Sequence, residues 1–121
     1  MSSPEISRPT PTPRLSEKDA ALLEAAYSRS SSAVKTAIED GANVNARHPE
    51  TGLTALHLAV GTNNLTLTRY LVEDCGARFG PDRFGRWPTS VAAHCRVAEP
   101  LCDYIVEAEA AALTERGRLL D

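Results

Sequence analysis

Nowhere does this sequence run apolar for the roughly 20 residues that a membrane-spanning helix needs. Its first twenty residues are dominated by Ser, Pro, Thr and charges, without the apolar segment of a secretory leader. These absences lead to the expectation of a cytoplasmic protein. A basic excess is missing as well: 13 Lys and Arg face 16 Asp and Glu, for a net charge of -3 and a pI near 5.6. Proteins that hold nucleic acid or anionic membranes carry the opposite balance, so neither is an expected partner. Cysteine is scarce and unpaired. Cys75, Cys95 and Cys102 are odd in number, and the last two stand seven apart. On one helix that is a rise of about 10 Å, too far for a disulfide. Such cysteines suit a reducing compartment, where they serve as small buried hydrophobes or bystanders.

Motifs that carry chemistry are absent too. The chain has no P-loop, no dinucleotide fingerprint and no H-E-x-x-H pair. Ser90 and His94 have i, i+4 spacing and would share a helix face. A nucleophile and base also need an orienting carboxylate and an oxyanion site, and no Gly-x-Ser-x-Gly elbow occurs. His94, Cys95 and Cys102 with Cys75 lack the paired spacing of a zinc site. The reading is of a protein that is not an enzyme, without catalytic residues, metal or cofactor.

What the sequence does contain is internal repetition. Ala20-Ala21-Leu22-Leu23-Glu24-Ala25-Ala26 corresponds to Thr54-Ala55-Leu56-His57-Leu58-Ala59-Val60 at an offset of 34, and Trp87-Pro88-Thr89-Ser90-Val91-Ala92-Ala93 follows at an offset of 33. Each block precedes a second apolar-periodic stretch: 33–38, 67–72 and 101–106. Two short helices per unit are therefore expected, repeated three times. The turns agree. Gly41 suits the left-handed position after a helix, and Gly52 and Gly85 suit tight hairpin turns. Pro88 suits a helix start, where its missing donor costs nothing. The second unit has one extra residue before its glycine, Gly76. The expected core is Leu22, Ala25, Val34, Ile38, Val44, Leu56, Ala59, Leu67, Leu71, Phe79, Val91, Ala92, Leu101 and Ile105. The stretch Ala108–Leu113 is rich in helix formers, so the last helix should run past repeat length and stop at Arg116-Gly117. Before the repeats lies Arg8-Pro9-Thr10-Pro11-Thr12-Pro13-Arg14, whose alternating prolines forbid helix.

Gly52-x-Thr54-x-Leu56-His57-x-Ala59, inside a 33-residue period of paired helices, resembles the ankyrin repeat. The resemblance covers residues 19 to about 110 and is most specific in the middle repeat. It implies an all-α solenoid of about three helix-turn-helix repeats joined by short β-hairpin-like loops. The expected divisions are a disordered Pro/Ser/Thr-rich tail (1–16), an N-terminal capping repeat (17–46), a central repeat (47–80) and a C-terminal capping repeat with an extended last helix (81–121). Thr54, Leu56, His57 and Ala59 are then structural, His57 bonding to neighbouring backbone beside the Thr54 hydroxyl.

The resemblance also implies a function. Ankyrin stacks meet partner proteins along the hairpin tips and inner helices. On this chain those positions are Tyr27 and Ser28; Glu50, Thr51, Leu53, Gly61 and Thr62; and Arg83, Phe84, Arg86, His94 and Cys95. The third hairpin, 82–87, stands out for its two arginines and two aromatics. The alternative to contact is that Phe84 or Trp87 folds back over the end of the stack; contact is the favoured reading for Phe84, and the two readings stand level for Trp87. The expected partner is another protein presenting acidic and apolar groups. The chain itself is expected to be a monomer or weakly self-associating. Its role is that of a scaffold, adaptor or regulator, with a dedicated enzyme inhibitor as the alternative and an enzyme or cofactor-binding protein as the least favoured reading.

Overall fold

A computed structural model describes residues 16–120 of the protein, with side chains described to Glu115. The Pro/Ser/Thr-rich segment expected as a tail lies outside the described residues, apart from Ser16. Six helices follow in order: α1 (Glu17–Tyr27), α2 (Ser31–Glu39), α3 (Ala55–Gly61), α4 (Leu65–Arg69), α5 (Pro88–Cys95) and α6 (Glu99–Leu120). They form three antiparallel pairs, and the inner helices α1, α3 and α5 pack side by side along the stack.

The helix starts follow from local chemistry. Ser16, Ser30, Thr54 and Asn64 each turn a side-chain oxygen onto the backbone N–H three residues ahead, satisfying a donor that no helical carbonyl reaches. Helix α5 departs from this pattern. Trp87 occupies its cap position and supplies no acceptor, Pro88 follows, and the Thr89 N–H instead donates to Glu109 Oε1 of α6 at 3.1 Å. The third pair is thus capped from a residue twenty positions away.

Three left-handed residues mark the turns between inner and outer helices: Arg29 (φ 63°), Asn63 (φ 57°) and Arg96 (φ 54°). Only asparagine among these takes that backbone region readily. Gly41 and Gly76 have positive φ after the outer helices, as their positions suggest. The extra residue of the second unit is absorbed within the helix itself. After Arg69, α4 widens into a π-helical turn over Tyr70–Asp74, with the Cys75 N–H donating five residues back to the Tyr70 carbonyl at 3.2 Å. The chain then returns to register, so Ala42 and Ala77 occupy matching buried sites.

The core runs continuously through all three pairs. Twelve of the fourteen residues expected there are buried, while Ile38 and Val44 pack against it only partly buried. The sequence reading also left out Leu23, Ala26, Ala55 and Val60, all buried. Helix α3 has inner helices on both sides as well as its own partner, and α1 packs on both α2 and α3, so each buries more than one amphipathic face. In α3, five of seven residues are buried. The expected stop at Arg116-Gly117 is not observed. Helix α6 continues to Leu120, because one glycine inside a helix costs only about 1 kcal/mol relative to alanine. Ala108 and Ala112 meanwhile dock the preceding turns on the core.

Replacing Arg96 with glycine should remove left-handed strain without removing any bond from its side chain. We expect a stabilisation of about 0.5–1 kcal/mol after the added flexibility of the unfolded chain is counted, read as a higher midpoint in urea denaturation.

Candidate protein-binding surface

An imidazole is one of the ties between the middle helix pair and the third unit. His57 Nε2 donates to the Arg86 carbonyl at 2.9 Å. Its Nδ1 then accepts from the Thr54 hydroxyl at 2.9 Å and from the Thr54 N–H at 3.4 Å, while Thr54 Oγ1 accepts from the His57 N–H at 3.3 Å. This pattern is a capping box with a histidine in the usual Glu/Gln position, and it requires the neutral Nε2–H tautomer. Burial pushes the His57 pKa below its ordinary value, against the opposing effect of its bond to the Arg86 carbonyl.

Polar bonds elsewhere join residues 33 to 35 positions apart. Arg29 Nη2 donates to the Asn63 carbonyl at 3.4 Å, the Arg78 N–H to Asn45 Oδ1 at 2.8 Å, and the Ala98 N–H to Asn63 Oδ1 at 3.0 Å. Arg47 Nη1 reaches the Pro81 carbonyl at 2.7 Å, and Arg83 Nη1 reaches the Pro49 carbonyl at 2.9 Å and the Glu50 carbonyl at 3.2 Å. The second loop closes with the His48 N–H donating to the Leu53 carbonyl at 2.8 Å, without strand among the described residues. Gly52, at φ 74°, lies so close to the next loop that a Cβ there would stand 2.6 Å from the Arg83 nitrogen.

The third tip is organised around Asp82, whose side chain is fully buried. Its Oδ1 accepts the N–H groups of Phe84 (2.8 Å) and Arg86 (2.9 Å), and its Oδ2 accepts Arg86 Nε at 2.7 Å. Desolvation alone would raise the Asp82 pKa, but these donors and the Arg86 charge outweigh it and hold the carboxyl below its ordinary value. The Arg86 guanidinium lies over the Phe84 ring, 5.2 Å from its centre.

The residues proposed for contact fall into different environments. Tyr27 and Phe84 are 69% and 67% exposed. Ser28, Glu50, Arg83, His94 and Cys95 are exposed; Thr51, Leu53, Gly61, Thr62 and Arg86 are half-buried. Thr62 Oγ1 already donates to the Leu58 carbonyl at 2.8 Å, and Gly61 leaves a Cβ-sized gap 3.4 Å from Val91. Trp87 is half-buried and packs against the core. Arg83 and Arg86 thus have structural bonds in addition to any contact role. Asp82 was missed by sequence reasoning, although an Asp two residues before an aromatic and three before a glycine is a turn signal. Away from this surface, an open groove of about 1160 Å³ lies between the 76–81 turn and α6. It is lined mostly by small apolar residues, with Arg47, Arg78 and Glu115 among them.

Stacked antiparallel helix pairs, with polar bonds between residues 33 to 35 positions apart, define a repeat solenoid, a class that presents an extended surface for other macromolecules. A family model described as ankyrin repeats, in three copies, matches residues 14–113. The chain belongs to the ankyrin repeat family. No curated protein matches it. Among the described residues no three His, Cys, Asp or Glu side chains group as metal ligands, and no helix is long and apolar enough to cross a membrane.

Two outcomes test the packing beneath this surface. His57 takes up a proton less readily folded than unfolded, so stability should fall as pH drops from about 6.5 through its lowered folded value. His57→Gln keeps a capping-box side chain, should cost about 1–2 kcal/mol at pH 7.5, and should flatten that slope in denaturation series between pH 7.5 and 5. Gly52→Ala combines left-handed strain with a backbone clash; a loss of about 2 kcal/mol or more is expected in the same assay.

Proposed function

We propose that this protein works by binding another protein through the face built from α1, α3, α5 and the loop tips at 48–53 and 82–86. Ankyrin repeats are generally protein–protein interaction modules and typically have no enzymatic activity. One observation carries the assignment to this face: among the described residues, the two most exposed large apolar side chains, Tyr27 and Phe84, both belong to it. Exposed aromatics on ordered backbone are the residues that dominate binding energy, because a partner desolvates them while little conformational freedom is lost.

In this reading Tyr27 and Ser28 form one end of the contact surface, Glu50, Thr51, Leu53 and Thr62 its middle, and Arg83, Phe84, Arg86, Trp87 and His94 the other end. The protein acts as an adaptor or regulator in the cytoplasm, as a monomer or with weak self-association. A dedicated inhibitor of a partner enzyme is the second reading, favoured by the projection of Phe84 from a tip tied down on several sides. An adaptor should capture two partners and change neither's rate. An inhibitor should suppress one partner stoichiometrically.

Phe84→Ala removes the exposed ring and leaves every Asp82 bond in place. With a purified partner, titration calorimetry should show a loss of about 2 kcal/mol in binding while circular dichroism stays unchanged. Unaltered affinity in both Phe84→Ala and Tyr27→Ala would remove this face from consideration.

A further inference from the structure

We infer that the 48–53 loop is an acid-sensitive element, closed by the neutral imidazole of His48 and loosened when that imidazole takes up a proton. The device belongs to the loop itself and needs no partner. Pro49 has no N–H, so Glu50 and Thr51 supply the first two after His48. Both point at one ring nitrogen: His48 Nδ1 accepts from the Glu50 N–H at 3.1 Å and from the Thr51 N–H at 3.4 Å. A backbone N–H can only donate, so Nδ1 is bare and Nε2 carries the proton. An imidazolium is protonated on both nitrogens and accepts nothing. Charging His48 therefore removes both bonds and sets a third N–H against the two already there.

The third loop provides the contrast. Asp82 stands 34 positions after His48 and does the same work there, its Oδ1 accepting the Phe84 and Arg86 N–H groups. Against the effect of burial, these donors and the Arg86 charge hold the Asp82 carboxyl below its ordinary value. It remains an acceptor throughout the range in which imidazoles charge, about pH 5 to 8. Acid therefore acts on the middle loop and spares the third. The charged groups around the switch are Arg47 and Glu50 on the middle loop's side and Asp82, Arg83 and Arg86 on the third, with His57 in the first turn of α3. Arg83 Nη1 donates to the Pro49 and Glu50 carbonyls, and the Arg83 N–H to the Thr51 carbonyl at 2.8 Å. These bonds grip the carbonyl side of the three residues whose N–H side His48 closes. An imidazolium adds a cation to a loop that already carries Arg47 and receives Arg83, so the charged ring swings out to water while Arg83 keeps its hold. On the face proposed above, the middle contacts Glu50, Thr51 and Leu53 then change shape with acid while Phe84 keeps its place.

The full-length chain, labelled with nitrogen-15, would be followed by NMR from about pH 7.5 to about 5. Long-range couplings within the His48 ring should show the Nε2–H tautomer at the upper end; a proton on Nδ1 there would overturn the switch. Exchange-protection factors of the Glu50 and Thr51 amides should fall about tenfold across the range, the factor expected for loss of a hydrogen bond. Those of Phe84 and Arg86 should change less than about twofold, since their acceptor keeps its charge. Constant protection at Glu50 and Thr51, or an equal loss at Phe84 and Arg86, would overturn the switch. His48→Asn places a carboxamide oxygen at the turn, an acceptor at every pH tested, and should abolish the transition. His48→Ala supplies no acceptor and should leave both amides poorly protected throughout, with circular dichroism unchanged. A transition that persists in the asparagine variant, or full protection in the alanine variant, removes His48 from the role. His57→Gln should keep the transition; its disappearance there would assign the effect to His57 instead. Because no partner enters the experiment, any of these failures leaves the proposed binding face standing.

Discussion

Each helix pair in this protein contains too few large side chains to enclose a core of its own, so its apolar faces become buried only when pairs stack in one register. Dispersion and hydrophobic burial favour stacking without specifying that register, since many of the buried residues are alanine and slide past one another at little cost. Directional bonds set it. Asn45, Asn63, Arg47, Arg83 and His57 each reach a backbone group of the adjoining unit, and each would lose its partner on a slip of one residue. The apolar stack depends on these polar contacts for its single arrangement.

The third pair shows how a departure in local sequence is offset from a distance. Trp87 replaces the capping threonine and Ser90 the bridging histidine, so α5 begins without the device that starts α3. Glu109 of the long α6 supplies an acceptor instead. The length of α6 is therefore part of the capping of α5 as well as a source of apolar cover through Ile105, Ala108 and Ala112. The π-helical turn in the second pair solves a related problem, placing one surplus residue where the helix can widen and letting the next turn resume its position.

The same bonds sort the surface. Arg83 and Arg86 each commit one guanidinium nitrogen to a bond at the tips, Arg83 across to the neighbouring loop and Arg86 to Asp82. The exposed large apolar side chains at the surface's two ends are Tyr27 and Phe84. Around Phe84 the arginines form a scaffold, and the buried Asp82 between them turns a loop rich in charge into one that presents an apolar ring.

Much of this was legible in the chain alone. The 33- and 34-residue offsets, the Thr54–Ala59 signature, the glycines and Pro88 determine the helix pairs, their caps and most of the core, because those features depend on contacts between near neighbours. They also mark Phe84 as belonging to a loop tip. Local pattern did not reveal that the inner helices are buried on more than one face, that α6 passes through Gly117, or that Glu109 caps α5. It also read Arg83 as a contact residue without its bonds to the Pro49 and Glu50 carbonyls. These matters were decided by tertiary structure, since the partner of each group lies about a full repeat away in sequence, or in another helix, and only stacking brings the two within bonding distance.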